Sequence, residues 1–200
     1  LDARVVAAQV NDRIIARGAH GDTVLHDGDS VELVRFVGGG LMNHAERMAV
    51  FEAADLYVVI TGAFCAGRSP LDVLDACLAA GVRMVQMREK DGSDLARHEL
   101  GRAFRARTRD AGALMIVDDR VDLALALDAD GVHLGQSDLP IAAARRIAPE
   151  LVIGASSHDP AEAVAAQDAG ASYVNIGPVY ATQTKDVPTG VVGLNMIDAI

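Results

Sequence analysis

The residues best suited to chemistry are acidic side chains that follow two short apolar runs. The run over 114–117 leads into Asp118 and Asp119, and the run over 132–134 leads to Asp138. If both runs are parallel strands of one barrel, Asp119 and Asp138 lie on neighbouring loops of the same rim. Two carboxylates without a Cys cluster or paired His beside them suit a hard cation such as Mg²⁺. The pair taken alone also fits a helix cap and a turn before Pro140.

A second group of polar residues lies at alternate positions of one predicted strand. Gln86, Arg88 and Lys90 alternate, so a strand points all three to one face. In a barrel covered by helices that face is the lumen, where two cations are costly unless an anion meets them. The planar fork of Arg88 and the point charge of Lys90 together suit a diphosphate, although a solvated edge strand would carry the same pattern at no cost.

Hydroxyl groups and a lysine follow the last two predicted strands. Ser156 comes after Gly154, and Thr182, Thr184 and Lys185 come after the next strand. Such groups in the loop after a barrel strand are a common way to hold a phosphate. Each segment alone is weak evidence for a phosphate site, but their joint position after strands predicts that they share the rim site.

The strands and helices that would position these residues belong to a repeating pattern that starts near Leu56. Six short apolar runs alternate with longer stretches of helical spacing, and several of these stretches end in Gly. Strand and helix in alternation predict an α/β fold with a parallel sheet. We interpret the pattern as a TIM (β/α)8 barrel with six of its eight βα units present and a last helix beginning near Val191. This implies a longer fusion and a barrel that is not closed. A doubly wound sheet competes, but its glycine-rich fingerprint is absent.

Residues 1–40 differ in kind from the rest. VVAAQVNDRIIARG alternates around Asn11-Asp12 as a hairpin does, and SVELVRFV predicts a further strand before a Gly38–Gly40 run. VNDRIIAR and DGDSVELVRFVGGG, in this order, resemble the C-terminal part of the sulfur-carrier protein of thiazole biosynthesis, which implies a partial ubiquitin-like β-grasp segment. The family activates a free terminal carboxylate, so the resemblance implies either a cut after Gly40 or an inactive relic.

Residues 41–55 predict a helical connector, which leaves 56–200 as the barrel. The chain has 200 residues, half of them hydrophobic, and a net charge of −10. This charge and the lack of a basic run argue against nucleic acid or a membrane surface as partners. The chain has two cysteines, which lack metal spacing and are typical of reduced packing residues in a cytoplasmic protein.

Four segments of the barrel part resemble one family in its own order. QMREK, VDDRVDLALALDADGVHLGQSDLP, GASSH and GPVYATQTK are similar to thiamine-phosphate synthase, a TIM-barrel enzyme. The resemblance implies transfer of a hydroxymethylpyrimidine group from its diphosphate to thiazole phosphate, giving thiamine phosphate and pyrophosphate. By position it implies pyrimidine diphosphate binding by Gln86, Arg88, Lys90, Ser156 and Lys185, thiazole phosphate binding by Thr182 and Thr184, and Mg²⁺ at Asp119 and Asp138.

One position departs from this family. Asp118 stands where the family usually has Asn, and an ionised Asp can accept but not donate a hydrogen bond. Asp118 could join the metal shell, stay protonated beside Asp119, or weaken diphosphate binding. His133, at mid-strand, is at least as well explained as a hydrogen-bonded core residue as by catalysis.

The expected mechanism uses charge more than proton transfer. Arg88, Lys90 and Lys185 would neutralise the departing pyrophosphate together with Mg²⁺. Two other functions compete: a thiazole tautomerase of the same fold, which needs no diphosphate site, and a non-catalytic scaffold for thiazole-forming partners. Residues 1–40 would add thiazole-synthesis and carrier-adenylating proteins as partners.

Overall fold

The computed structural model describes residues 6–11, 13–15, 22–35, 42–182 and 190–199. The chain divides into two compact units, Leu1–Leu41 and Met42–Ile200. None of the described helices is both long enough and apolar enough to cross a membrane.

The smaller unit contains an antiparallel sheet of three strands in the order β2-β1-β3. These are β1 (Val6–Val10), β2 (Arg13–Ile15) and β3 (Val31–Arg35). Val10 lies opposite Arg13, which confirms the predicted hairpin. Asn11 adopts a positive φ of 49° and its amide donates to Asp29 at 2.7 Å, which ties the turn to the segment before β3. The Gly38–Gly40 run lies outside the described residues.

The larger unit is a regular alternation of helices and parallel strands. The strands form one sheet in sequence order, β4 to β9, as the six apolar runs predict. Within the described residues β4 and β9 are edge strands that do not pair with each other, as expected for an incomplete barrel. The elements are α1 (His44–Glu52), β4 (Tyr57–Ile60), α2 (Pro70–Ala79), β5 (Met84–Met87), α3 (Asp94–Ala111), β6 (Leu114–Asp118), α4 (Val121–Ala126), β7 (Gly131–Leu134), α5 (Ile141–Ile147), β8 (Val152–Ser157), α6 (Pro160–Asp168), β9 (Tyr173–Ile176) and α7 (Asn195–Ala199).

The helix ends follow from local sequence. Ser93 accepts a hydrogen bond from the Ala96 N–H and starts α3, and Gly112 ends the same helix in the left-handed conformation with φ 65°. Asp159 caps α6 in the same way as Ser93 caps α3. The last helix begins at Asn195, four residues after the predicted start near Val191.

The strands divide their side chains between two cores. Met115 and Val117 of β6 point outward into the large core formed with the surrounding helices. Leu114 and Ile116 alternate with them and belong to a second, inner cluster. Met48 and Phe51 of α1 pack against this inner cluster, so the helix of the predicted connector is part of the larger unit and covers the end where the strands begin.

A buried ion network joins α1 to this end of the sheet. Asp130, which is fully buried just before β7, accepts two hydrogen bonds from Arg105 at 2.7 and 3.2 Å. Arg47 of α1 is 2% exposed and its Nε lies 3.7 Å from Asp130 Oδ1. Arg47 also donates to the carbonyl of Glu150 at 2.6 Å. The network therefore fixes α1 by charge as well as by apolar packing.

Candidate active site

The opposite end of the sheet, where the strands finish, carries a charged cleft of about 300 Å³. It lies between the segments that follow β5, β6 and β7. Its walls are apolar next to the sheet and charged at the rim. The lining residues are Met87, Glu89, Lys90, Arg97, Val117, Asp118, Asp119, Arg120, Leu123, Asp138 and Leu139.

Cations from β5 meet carboxylates from β6 at this rim. Lys90 Nζ lies 2.8 Å from Asp118 Oδ2 and also contacts Asp119. Arg88 Nε lies 3.5 Å from the same oxygen of Asp118. Asp118 continues the inward-facing alternation of β6 after Ile116, and β5 and β6 pair in parallel register, so the two strands place these groups side by side.

Asp119 is held in an unusual backbone conformation. Its φ is 59°, in the left-handed region that few non-glycine residues occupy, although Asp tolerates it better than most. The Asp119 N–H donates to the carbonyl of His133 at 2.8 Å, which fixes the turn against β7. Strained backbone at the end of a strand is typical of functional sites. The turn aims the Asp119 carboxylate into the cleft.

Asp138 reaches the same place from the loop after β7. Its Oδ2 accepts a hydrogen bond from the Gly135 N–H at 2.7 Å, which fixes the side chain. Burial raises the pKa of Asp138, the Gly135 N–H opposes that shift, and the neighbouring Asp119 carboxylate adds to it. Asp119 and Asp138 both line the cleft, and a cation bound there would offset the repulsion between their carboxylates.

The remaining pKa shifts describe a crowded set of charges. Burial raises the pKa of Asp118, and the ion pair with Lys90 only partly offsets this. Partial burial alone would lower the pKa of Lys90, but its contacts with Asp118 and Asp119 outweigh burial and raise it. Lys90 is therefore a protonated ammonium at neutral pH. Perturbed groups gathered in one cleft are a mark of a functional site.

A chain of hydrogen bonds lies deeper in the lumen, below the rim. Ser156 Oγ and the Tyr173 hydroxyl lie 3.0 Å from the two ring nitrogens of His133. The Tyr173 hydroxyl donates to the Tyr57 hydroxyl at 3.0 Å, which also accepts from Gln86 at 2.6 Å. Because the Tyr173 hydroxyl donates to Tyr57, its oxygen can accept a hydrogen bond from His133 Nδ1.

Tyr57 is the last residue in this series of hydrogen bonds, and its own O–H is not used in them. Its oxygen accepts two hydrogen bonds, which leaves its own O–H to donate to a ligand in the lumen. Burial raises the pKa of both Tyr57 and Tyr173, so both hydroxyls remain protonated at neutral pH. The lumen thus contains both polar and aromatic groups, with the rings of Tyr57 and Tyr173 edge to face at 6.0 Å.

The structure brings most of the predicted site residues into two layers. Arg88, Lys90, Asp118, Asp119 and Asp138 meet at the rim, and Gln86 and Ser156 lie below them in the lumen. Thr182 follows β9 and is the last described residue before position 190. Thr184 and Lys185 lie outside the described residues, so their roles stay predictions.

Sequence reasoning missed Tyr57 and Tyr173. Their signal is a polar tip at an inward position of β4 and β9, but inward positions are known only once register is known. Gly154 gives a second clue, because a Cβ there would lie 2.1 Å from the Tyr173 ring. The lumen needs a glycine at this point to admit the tyrosine. His133 was predicted to be either a core or a catalytic residue, and the structure gives it partners from two strands.

A family model described as thiamine monophosphate synthase matches residues 56–200, which include β4 to β9 and the whole rim. The chain belongs to the thiamine monophosphate synthase family. A second model, described as the ThiS family, matches residues 1–40.

Relatives within the thiamine monophosphate synthase family are similar over most of the barrel. A thiamine-phosphate synthase of Moorella thermoacetica is 45% identical over 147 residues, covering 73% of this chain and 70% of that protein. A thiamine biosynthesis bifunctional protein ThiM/ThiE of Symbiobacterium thermophilum is 54% identical over 135 residues, covering 67% of this chain but 27% of that protein. The solved thiamine phosphate pyrophosphorylase from Pyrococcus furiosus is 40% identical with a TM-score of 0.63, covering 70% of this chain and 66% of that one.

Proposed function

We propose that this chain transfers a hydroxymethylpyrimidine group from its diphosphate to the nitrogen of thiazole phosphate, giving thiamine phosphate and pyrophosphate. The observation that carries the proposal is that Lys90, Asp119 and Asp138 line one cleft and that Arg88 pairs with Asp118 at its rim. A diphosphate bound as a metal complex needs both kinds of group within one cleft. Membership of the thiamine monophosphate synthase family supplies the substrate class.

Arg88 and Lys90 are the groups that would bind the diphosphate. Both are now neutralised in part by Asp118, so the arriving phosphates compete with that carboxylate for the two cations. Lys185 would add a third cation from the loop after the last strand, with Ser156 at the pyrimidine end. Thr182 and Thr184 would receive the phosphate of the thiazole.

The carboxylates fit a magnesium ion that arrives with the diphosphate. Among the described residues no group of three or more His, Cys, Asp or Glu could hold a metal by itself. Magnesium does not need such a group, because it commonly uses one or two carboxylates with phosphate oxygens and water. Asp119 and Asp138 would hold the ion. It would supply charge stabilisation for the pyrophosphate as that group leaves.

The polar groups of the lumen would bind the aminopyrimidine ring. Gln86, Tyr57 and His133 present donors and acceptors below the rim, and the spare O–H of Tyr57 suits a ring nitrogen. A ring bound there places its methylene substituent toward Arg88 at the top of β5, because Gln86 and Arg88 are two residues apart on one inward face. The polar lumen would therefore orient the bond that breaks.

The expected reaction is a substitution that is dissociative in character. The bond between the methylene carbon and the diphosphate oxygen breaks, and its electron pair leaves with pyrophosphate. Arg88 and Lys90 stabilise that charge at fixed positions in the cleft. The aminopyrimidine ring stabilises the positive charge on the methylene carbon until the thiazole nitrogen donates its lone pair. No proton has to move for the new carbon–nitrogen bond to form.

The related thiazole tautomerase activity is the second candidate. It would use the same fold but has no use for a diphosphate site, so the rim cations favour the synthase. A non-catalytic scaffold would have no use for either layer of the site. Consumption of the pyrimidine diphosphate by the purified protein separates the synthase from the other two functions, and isomerisation of the thiazole separates the tautomerase from the scaffold.

The test is pyrophosphate release by the full-length protein with both substrates and Mg²⁺. We expect release that depends on both substrates, and at least a tenfold lower turnover for Asp138→Asn, which removes over about 1.4 kcal/mol of transition-state stabilisation. Asn keeps an oxygen to accept from Gly135, so the loop stays in place. Arg107→Met is the matched control, since Arg107 pairs with Asp75 on the outer helices. No release by the wild-type protein, with thiazole isomerisation instead, would favour the tautomerase.

Residues 1–40 carry a separate proposal. We propose that they act as a sulfur carrier, with a carrier-adenylating protein and the thiazole-forming proteins as partners, once a cut frees the carboxylate of Gly40. The match to the ThiS family supports this. Mass measurement of protein made in its own host tests it. A fragment ending at Gly40 is expected, and intact chain alone would contradict the cut. We place both activities in the cytoplasm, where free Cys65 and Cys77 stay reduced.

A further inference from the structure

A network of charged side chains joins the two segments that carry the rim residues. Arg97, in the first turns of α3, donates to the carbonyl of Glu89 at 3.0 Å and to the carbonyl of Lys90 at 2.8 Å. Its third contact is with Asp94 at 2.8 Å. Two of these three contacts are thus with the backbone of the segment after β5.

Asp94 extends the network to the segment after β6. Its Oδ1 also accepts from Arg120 at 2.9 Å, and Arg120 directly follows Asp119 in the chain. Arg120 is fixed in turn by Asp122, with contacts of 2.8 and 2.6 Å. The Asp94 carboxylate therefore connects Arg97, which donates to the Lys90 carbonyl, with Arg120, which follows Asp119 in the chain.

The segment after β5 is also fixed from its other side. Glu89 Oε1 accepts a hydrogen bond from the Gly62 N–H at 2.7 Å, which ties it to the loop after β4. With Glu89 held there and its carbonyl held by Arg97, the backbone around Lys90 has little freedom. A fixed backbone matters here because the lysine side chain is flexible. The position of its charge is well defined only if its Cα is held in place.

We infer that Arg97 is a positioning residue that sets the Lys90 ammonium against the Asp119 carboxylate through the carbonyls of Glu89 and Lys90 and through Asp94. The importance of Arg97 for turnover rests on the proposed function, whereas its contacts with Glu89, Lys90 and Asp94 do not. Arg97 is 18% exposed and itself lines the cleft. The rival explanation is that Arg97 contacts the substrate directly.

The first experiment needs no turnover. Amide hydrogen exchange is measured on the full-length protein for the segments 88–91 and 118–121 in wild type, Arg97→Met and Asp94→Ala. We expect severalfold faster exchange in both segments for Arg97→Met, and in 118–121 alone for Asp94→Ala. Arg107→Met, on the same helix, is the control and should leave both segments unchanged. Unchanged exchange in Arg97→Met would overturn the inference even if the protein proves inactive.

The second experiment asks whether Arg97 acts through Lys90. We expect Arg97→Met to lower kcat/KM for the pyrimidine diphosphate at least tenfold in the wild-type background, mostly through kcat. In the Lys90→Gln background the same substitution should cost less than about threefold, because residues acting as one unit are not additive. Arg97→Lys, which keeps one carbonyl contact, should recover part of the loss. Equal losses in both backgrounds would overturn the inference and indicate direct substrate contact.

Discussion

The hydroxyl of Tyr173 donates a hydrogen bond to the hydroxyl of Tyr57 at 3.0 Å, although the two residues stand on the last and first strands of the six-stranded sheet. Such a contact requires the sheet to curl until its edges face each other across a lumen. The twist of a parallel sheet produces this curvature, and the inward alternation of the strands fills the space it encloses. The lumen is thus lined by groups from both ends of the sheet.

This contact predicts the effect of Tyr173→Phe. The substitution removes the donor to Tyr57 and the hydroxyl oxygen that lies 3.0 Å from His133 Nδ1. We expect unfolding free energy to fall by about 1–3 kcal/mol, the usual cost of leaving a buried polar group unsatisfied. Urea unfolding measures it, with Tyr180→Phe as the control because Tyr180 is 72% exposed. Equal losses in the two variants would show that the lumen hydrogen bonds are not the cause.

The ion pairs of Asp118 predict a gain of substrate affinity in Asp118→Asn. Asp118 neutralises Arg88 and Lys90, the two cations that would meet the diphosphate. Replacing its charge with an amide releases Arg88 from this ion pair and leaves Lys90 paired with Asp119 alone. We therefore expect KM for the pyrimidine diphosphate to fall about three- to tenfold, equivalent to roughly 0.7–1.4 kcal/mol. Turnover should change little. A large loss of turnover would instead show that the carboxylate has a role of its own.

The buried network below the sheet predicts a large loss of stability in Asp130→Ala. Without Asp130, the guanidinium groups of Arg47 and Arg105 lose the carboxylate that balances their charge inside the protein. Removing one partner of a buried ion pair typically costs about 3–5 kcal/mol. Asp75→Ala breaks the solvent-exposed pair with Arg107 and should cost less than about 1 kcal/mol. Urea unfolding of the two variants should separate them clearly, and similar midpoints would contradict the assignment.

The contact between Arg120 and Asp122 predicts a pH effect. Hydrogen bonding to Arg120 lowers the pKa of Asp122 from 3.8 to about 2. Because the folded-state pKa is the lower one, the pair stabilises the folded protein above pH 3.8, and this contribution is lost as pH falls through about 2. Asp122→Asn should therefore lose less stability between pH 4 and pH 2 than wild type, as measured by urea unfolding at each pH. Asp55→Asn, at an exposed position, should match wild type.

The sequence was sufficient to predict the fold and most of the rim. Alternation of apolar runs and helical stretches located all six strands, because the period of two and the period of 3.6 differ clearly. Lys90, Asp119 and Asp138 line the cleft, and Arg88 joins them through its ion pair with Asp118. These four were predictable because parallel strands end at the same edge of a sheet, so strand ends alone bring them together.

The lumen and the network around Arg97 were not predictable in the same way. Tyr57 and Tyr173 are 116 positions apart and meet only through sheet curvature, which no local pattern records. Arg97 belongs to a helix with several other arginines, and nothing in the spacing distinguishes it from Arg107. Its role depends on two carbonyl groups, and backbone groups leave no trace in the residue types. The pairing of Asp118 with both Arg88 and Lys90 was also not predictable, because residue types do not show which charges meet.

The buried position of α1 has a consequence for the joining of the two units. The helix begins three residues after Leu41. Its residues Arg47, Met48 and Phe51 pack into the larger unit. A cut after Gly40 would therefore leave α1 with the larger unit, and the buried contacts of its side chains would not be broken.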